Sequence, residues 1–275
     1  MLGALVIVFR EVIEAGLIIG IVLAATRGVT GRGGYICAGA AAGIIGACLV
    51  AVFAGAISDL FEGAGQELFN AAVLALAVVM LTWHNVWMSR HGREMAAQMR
   101  GLGAAVTAGQ RPLAALAVVV GIAVLREGAE VVLFLYGIVA SGANTADLLM
   151  GAVLGLLGGA ALSGLTYAGL VSIPSRYIFS VTSVMIALLA AGMAAQSAQF
   201  ADSAGLVSAG GTVLWDTSRW LSETSMFGKL LHTLIGYTER PSVLQLGVYL
   251  ATLAVTALLM RLARPQRAAR PVVAR

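Results

Sequence analysis

Stretches of twenty or more mostly apolar residues follow one another along nearly the whole chain, separated by short connections rich in Gly, Pro, Asp and Arg. A helix of about twenty such residues crosses a hydrocarbon core about 30 Å thick. The pattern therefore predicts seven membrane-spanning helices, at about 2–25, 35–57, 68–88, 113–139, 148–171, 177–198 and 242–262. Barrel strands would alternate in short segments, and these runs do not. The expected fold class is an all-α polytopic membrane protein, with residues 1–275 in a single membrane domain. One connection, 199–241, is long and only partly polar. Val213, Leu214, Leu221, Phe227, Leu230, Leu231, Leu234 and Ile235 recur in it at helical spacing, with Trp215 and Trp220 among them. That predicts one or two amphipathic helices lying at the outer interface.

Composition strengthens the membrane reading: 60% of residues are hydrophobic and 11% charged, against about a quarter charged in soluble domains. Cys37 and Cys48 share one apolar run, roughly 16 Å apart on a helix, too far for a disulfide. The first run is not expected to be a signal peptide, because Arg10, Glu11 and Glu14 interrupt it and no basic segment precedes it. The net charge of +4 is placed for topology, not for nucleic acid. Arg27, Arg32, Arg90, Arg93, Arg100, Arg111 and Arg176 follow odd-numbered spans, as do Arg261, Arg264, Arg267, Arg270 and Arg275 in the tail. Only Arg219, Lys229 and Arg240 fall on the other side, together with most acidic residues. By the positive-inside rule the N-terminus is outside and the C-terminus cytoplasmic. The basic tail contacts anionic lipid, and no nucleic-acid partner is expected.

Two spans break the apolar pattern. The first reads Arg10-Glu11-Val12-Ile13-Glu14 and the fourth Arg126-Glu127-Gly128-Ala129-Glu130, both R-E-x-x-E. A charge at the bilayer centre costs at least about 2.5–3.5 kcal/mol, so six such groups require compensation. Residues three apart share a helix face, and each Arg lies four residues before its second Glu. Each copy thus presents two carboxylates to one point, with an arginine in reach. Four carboxylates and two arginines leave a net negative balance that suits a cation, and carboxylate oxygens favour hard metals. A plainer alternative is that the charges only neutralise one another and fasten helix 1 to helix 4. Two pairs would need only two carboxylates, however, and there are four.

Three spans separate the copies, so the two motif helices run in opposite directions. Spans 1–3 and 4–6 then form an inverted-topology repeat, an architecture that places its sites at the midplane. The chain divides into a first repeat (1–111), a second repeat (112–198), the outer segment (199–241) and the last span with its basic tail (242–275). Gly16 and Gly20, Gly39 and Gly43, and Gly151, Gly155 and Gly159 form small-residue stripes, read as close helix packing. His84, between Trp83 and Trp87, reads as part of an interfacial aromatic belt, and His91 and His232 show no metal-site spacing. Met80, Met88, Met95 and Met99 read as packing residues. Asp59, Glu62, Glu67, Asp216 and Glu223 give the outer face a negative bias that would gather cations at an entrance.

Two R-E-x-x-E motifs in helices 1 and 4 of a seven-span chain resemble the oxidase-dependent iron permeases, which include the fungal high-affinity and the bacterial iron-uptake permeases. Trp215-Asp216-Thr217-Ser218, Gly236-Tyr237 and Pro241-Ser242 carry the likeness into the outer segment. The resemblance implies import of iron, supplied as ferric ion by an outer-side ferroxidase or other redox partner. Glu11, Glu14, Glu127 and Glu130 would be its ligands in transit, with no permanently bound cofactor. The Ala- and Arg-rich usage and compact loops suggest a bacterial inner membrane, and no enzymatic activity is expected. Val12 departs from the family's frequent Gly, which Gly128 retains, and the fungal outer-loop motif Asp-Ala-Ser-Glu is matched only in part by Asp216-Thr217-Ser218 with Glu223. The residues alone leave open another metal cation, such as lead or manganese, and a glutamate-dependent intramembrane hydrolase.

Overall fold

The computed structural model describes residues 1–59, 66–140, 142–169, 175–207 and 212–263. Within them the chain forms α1 (Leu2–Ala25), α2 (Arg32–Asp59), α3 (Gln66–Thr107), α4 (Ala114–Ala140), α5 (Thr145–Tyr167), α6 (Ser175–Ser203), α7 (Met226–Ile235) and α8 (Val243–Ala263), and no strand. Each of the seven expected apolar segments is a helix. Five of these, in α2, α3, α5, α6 and α8, are long and apolar enough to cross a membrane. α1 and α4 match them in length but carry their Arg-Glu-Glu sets at mid-helix. Glu62 and the tail arginines from Arg264 onward lie outside the described residues, as does the side chain of Asp59.

The third apolar span ends at Met88, near the expected residue 88, but its helix continues to Thr107, because Met95, Ala96, Ala97, Gln98, Met99 and Arg100 are strong helix formers. Its far end folds back on α1: the Thr107 hydroxyl donates to the Ala25 carbonyl at 3.2 Å. Of the one or two helices expected in the 199–241 segment, the described residues form one separate helix, Met226–Ile235. Residues 212–217 instead run beside 239–243, with Leu214 N–H on the Pro241 carbonyl and Thr217 N–H on the Glu239 carbonyl, both at 2.9 Å. Asp216, Thr217, Ser218 and Ser222 offer the backbone local hydrogen bonds that compete with a helix. Ser225 caps the start of α7, and Gly236 ends it at φ 68°, a left-handed conformation that glycine adopts without strain.

The closest helix pairs are not neighbours in sequence. α5 packs along α1 and α2 along α4, through glycines that let the backbones touch. A Cβ at Gly155 would lie 2.6 Å from the Leu5 carbonyl oxygen and 3.0 Å from the Val8 Cβ. A Cβ at Gly43 would lie 2.7 Å from the Gly121 carbonyl oxygen and 2.7 Å from the Val124 Cβ. Leu5 and Val8 stand in the same places relative to Arg10 as Gly121 and Val124 do relative to Arg126. α3 packs on α6, and α8 covers the α6–α3 side.

Two apolar clusters enclose a charged layer. One joins Ile7, Leu74, Leu81, Phe134, Ile138, Ile186 and Met193. The other joins Val22, Ile36, Val106, Leu116 and Val120. The first takes the start of α1 and the end of α4, the second the end of α1 and the start of α4, so these helices run antiparallel. Between the clusters, Arg10, Glu11, Glu14, His84 and Glu127 are all buried.

Candidate functional site

In the charged layer each motif pairs internally as its spacing dictates. Arg10 Nε stands 2.9 Å from Glu14 Oε1, and Arg10 Nη1 stands 3.6 Å from Glu11 Oε1. On α4, Arg126 Nε donates to Glu130 Oε1 at 3.2 Å and lies 3.9 Å from Glu127 Oε1. The arginines nevertheless differ in setting. Arg10 is 2% exposed, whereas the Arg126 side chain is 35% exposed and stacks over Trp87, 4.4 Å from the ring centroid.

His84 joins the two copies. Its Nε2 lies 3.2 Å from Glu14 Oε2 and 3.8 Å from Glu11 Oε2, while its Nδ1 contacts Glu130 Oε2. It is 3% exposed, while its neighbour Trp83 is 70% exposed. The aromatic-belt reading of His84 is therefore wrong: Trp83 faces outward and His84 faces the motifs. Ligand atoms from Glu11, His84, Glu127 and Glu130 lie within 4.8 Å of one another. Among the described residues both Glu11 oxygens and Glu127 Oε2 accept no hydrogen bond. Buried acceptors are rarely left so, and together these donor atoms form a group that could hold a metal ion.

Two cavities flank the layer. One of about 270 Å³ reaches it directly, lined by Met80, Trp83, His84, Trp87, Arg126 and Glu130. A larger one, about 600 Å³, lies at the end of the bundle where α1 begins and includes Asn144, Asp147, Gln196, Glu223 and His232 in its wall. Ile138, Leu189 and Met193 belong both to that wall and to the first apolar cluster. Ile7 and Phe134 of the cluster lie one turn from Glu11 and Glu130, so the cluster closes the larger cavity off from the charged layer.

The other acidic residues singled out in the sequence are spread more widely. Glu223 lines the larger cavity, where it also fastens the loop: Glu239 N–H donates to Glu223 Oε1 at 2.8 Å and Glu223 N–H donates to Glu239 Oε2 at 3.0 Å. Glu67 is exposed in the first turn of α3. Asp216 is away from the cavity wall. It accepts from Ser218 N–H at 2.9 Å and pairs with Arg240 at 2.9 Å. Hydrogen bonds from Ser218, then Arg240, hold its carboxyl at about 2, below the ordinary 3.8. His232 is turned inward, its Nδ1 donating to the Tyr237 carbonyl at 2.7 Å and its Nε2 lying 2.8 Å from the Gln196 amide.

The residue that sequence reasoning missed is His84. It continues the buried stripe of α3 formed by Leu74, Ala77 and Leu81, spaced three, four and three residues apart, and that register was the available signal.

Against known proteins, a model of the iron permease FTR1 family matches residues 1–264. The chain is 34% identical over 248 residues to the ferrous iron permease EfeU of Escherichia coli O6:H1, covering 88% of this chain and 89% of that protein. It is 33% identical over 247 residues to the protein of the same name from Shigella sonnei, with 88% and 89% covered. It is 34% identical over 199 residues to the one from Shigella flexneri, with 72% and 84% covered. No solved structure matches the chain.

Proposed function

The chain belongs to the iron permease FTR1 family, and on that premise we propose that it imports iron through the charged layer, with Glu11, Glu14, Glu127 and Glu130 supplying carboxylates to the ion in transit. The observation that carries this reading is the meeting of both motifs around one point, with carboxylate oxygens that their arginines do not satisfy. Ion pairing is tight for Arg10 with Glu14 and for Arg126 with Glu130, but looser for Glu11 and Glu127, at 3.6 and 3.9 Å. The arginines hold the carboxylates apart and lower their summed charge while no cation is present.

The proposed frame is seven spans, α1 to α6 and α8, with the N-terminus outside and the C-terminus cytoplasmic in a bacterial inner membrane. Its first six spans form an inverted repeat. The equivalence of the α5–α1 and α2–α4 seams supports the repeat, since exchanging the halves exchanges the seams. In this frame the larger cavity is the outer vestibule. Asp59, Glu62, Glu67, Asp216 and Glu223 bias the outer face toward cations, and Glu223 brings that bias to the cavity wall. A ferroxidase or other iron-delivering redox protein hands over the ion there. A second reading concerns the redox state: the curated relatives are named ferrous iron permeases, which favours Fe²⁺ over Fe³⁺ as the ion that enters.

Uptake of radioactive iron into proteoliposomes tests the proposal, using wild type and the four motif Glu→Gln variants. Wild type should accumulate iron and each variant should lose most of it. Wild-type uptake in all four places the path elsewhere. Comparing iron kept reduced by ascorbate with a ferric chelate separates the two redox readings.

A further inference from the structure

We propose that His84 is a metal ligand, adding an imidazole nitrogen to the carboxylates of Glu11, Glu127 and Glu130 and tilting the site toward borderline dications over hard ones. This deepens the reading of the charged layer as the transport site and rests on it. Four observations converge. The ring is buried within the layer, and one of its nitrogens lies within 4.8 Å of a carboxylate oxygen from each of the three glutamates. Four donors about 2.1 Å from a tetrahedral ion stand about 3.4 Å apart, so only a small closure gathers them. Each motif copy supplies its own arginine and glutamates, but this one ring serves both copies. Nothing in the two motifs can replace its nitrogen.

The fourth observation is how the ring is held. Arg10 Nε fixes Glu14 at 2.9 Å, and Glu14 in turn faces His84 Nε2 at 3.2 Å. A carboxylate on one ring nitrogen, orienting the other toward a metal, is the usual outer support of a ligating histidine. It leaves Nδ1 toward Glu130, while Glu11 lies on the Nε2 side at 3.8 Å. Glu14 is the one motif carboxylate outside the four-donor group, and its engagement with both Arg10 and Nε2 accounts for that. Oxygen-only sites suit Mg²⁺, Ca²⁺ and Mn²⁺, whereas an imidazole favours later transition ions and steepens the rise in affinity from Mn²⁺ through Fe²⁺ to Co²⁺.

The test measures binding of Mn²⁺ and of Co²⁺, a redox-stable stand-in for Fe²⁺, to the purified full-length protein by calorimetry. For His84→Gln, Co²⁺ affinity should fall tenfold or more while Mn²⁺ affinity falls threefold or less. A merely structural histidine would weaken both ions equally, and that result, or no change in either, overturns the assignment. Glu127→Gln serves as the control: it should weaken both ions alike. If it changes neither, the glutamate site itself fails, an outcome distinct from failure of the histidine alone. Should H84Q not fold, X-ray absorption at the cobalt edge of wild type with one equivalent of Co²⁺ decides. Multiple scattering from an imidazole ring supports the ligand, and an all-oxygen shell overturns it.

Discussion

Gly159 on α5 lies directly beneath Val12 on α1: a Cβ at Gly159 would stand 2.9 Å from both Cβ and Cγ1 of Val12. Across the other seam the residues are exchanged. Gly128 on α4 faces Ala47 on α2, and a Cβ at Gly128 would stand 2.6 Å from the Ala47 Cβ. Each motif thus needs one glycine at this depth, and either helix can provide it. Val12, which departs from the family's frequent Gly, is accommodated because its partner is the glycine.

This exchange predicts a rescue. Gly128→Ala should destabilise the protein by about 1–3 kcal/mol through overpacking. Ala47→Gly in the same chain should restore most of the loss, because Ala47 is the neighbour that the added methyl group meets. Thermal unfolding in detergent reads both variants, and strict additivity of their effects would contradict the pairing.

The motif glutamates should be sensitive one at a time. E11Q, E14Q, E127Q and E130Q keep their shape and are expected to reach normal membrane abundance while iron uptake falls roughly tenfold or more, in line with loss of a ligand or its support. Quantitative immunoblotting beside the uptake assay separates lost transport from lost protein.

The two arginines should not respond alike. Arg10→Lys keeps charge but loses the planar fork that reaches both Glu14 and Glu11 in a fully buried setting, and uptake should drop sharply. Arg126→Lys acts at a partly exposed position where Trp87 supports the guanidinium, and the loss should be milder, with about 0.5–1 kcal/mol of stacking at stake. Equal kinetics in the two variants would be evidence against this asymmetry.

Asp216 carries a pH signature. Its carboxyl is held at about 2 in the folded protein, so its stabilising contribution is fully present above the ordinary 3.8 and is lost as pH falls through 2. Asp216→Asn should therefore loosen the 212–243 region at pH 5–7, and the difference from wild type should close between pH 4 and 2. Hydrogen exchange of the region's amides checks this. Because Arg240 and Ser218 already occupy the carboxylate, iron uptake per folded molecule should stay near the wild-type level.

Phe134 is fully buried between the larger cavity and the charged layer. Phe134→Ala should cost about 3–5 kcal/mol of stability and let water and ions reach the glutamates from the larger cavity. Access of a small charged cysteine reagent to a Cys placed at Ile7 should rise in that background. Unchanged access would show that other members of the cluster close the path.

Much of this was legible because charge stands out in an apolar run. The seven helical segments and the R-E-x-x-E faces follow from hydropathy and from the turn of the helix, and the small-residue stripes mark real seams. What stayed hidden depends on contacts between distant segments. Trp83 and His84 are adjacent in sequence but about 100° apart around the helix, so one meets the outside and the other the motifs. The pairing of α1 with α5 has no local signal, since the Gly151, Gly155 and Gly159 stripe does not say which helix it will meet. The loop at 212–225 defeated the helical pattern because Asp216, Ser222 and Ser225 bond to nearby backbone and Thr217 bonds across to the Glu239 carbonyl.

The same seams set an order in time. α1 is complete once Ala25 has been made, but α5, which grips it, begins only at Thr145. At roughly 5–20 residues per second the interval is on the order of ten seconds. During it the first helix carries Arg10, Glu11 and Glu14 without the backbone partner or the opposing charges that later enclose them. α4 has no such delay, because α2 is already made when it emerges. The two copies of one motif thus have unequal histories: the second is born beside its partner, while the first must be sheltered by the insertion machinery until its own arrives.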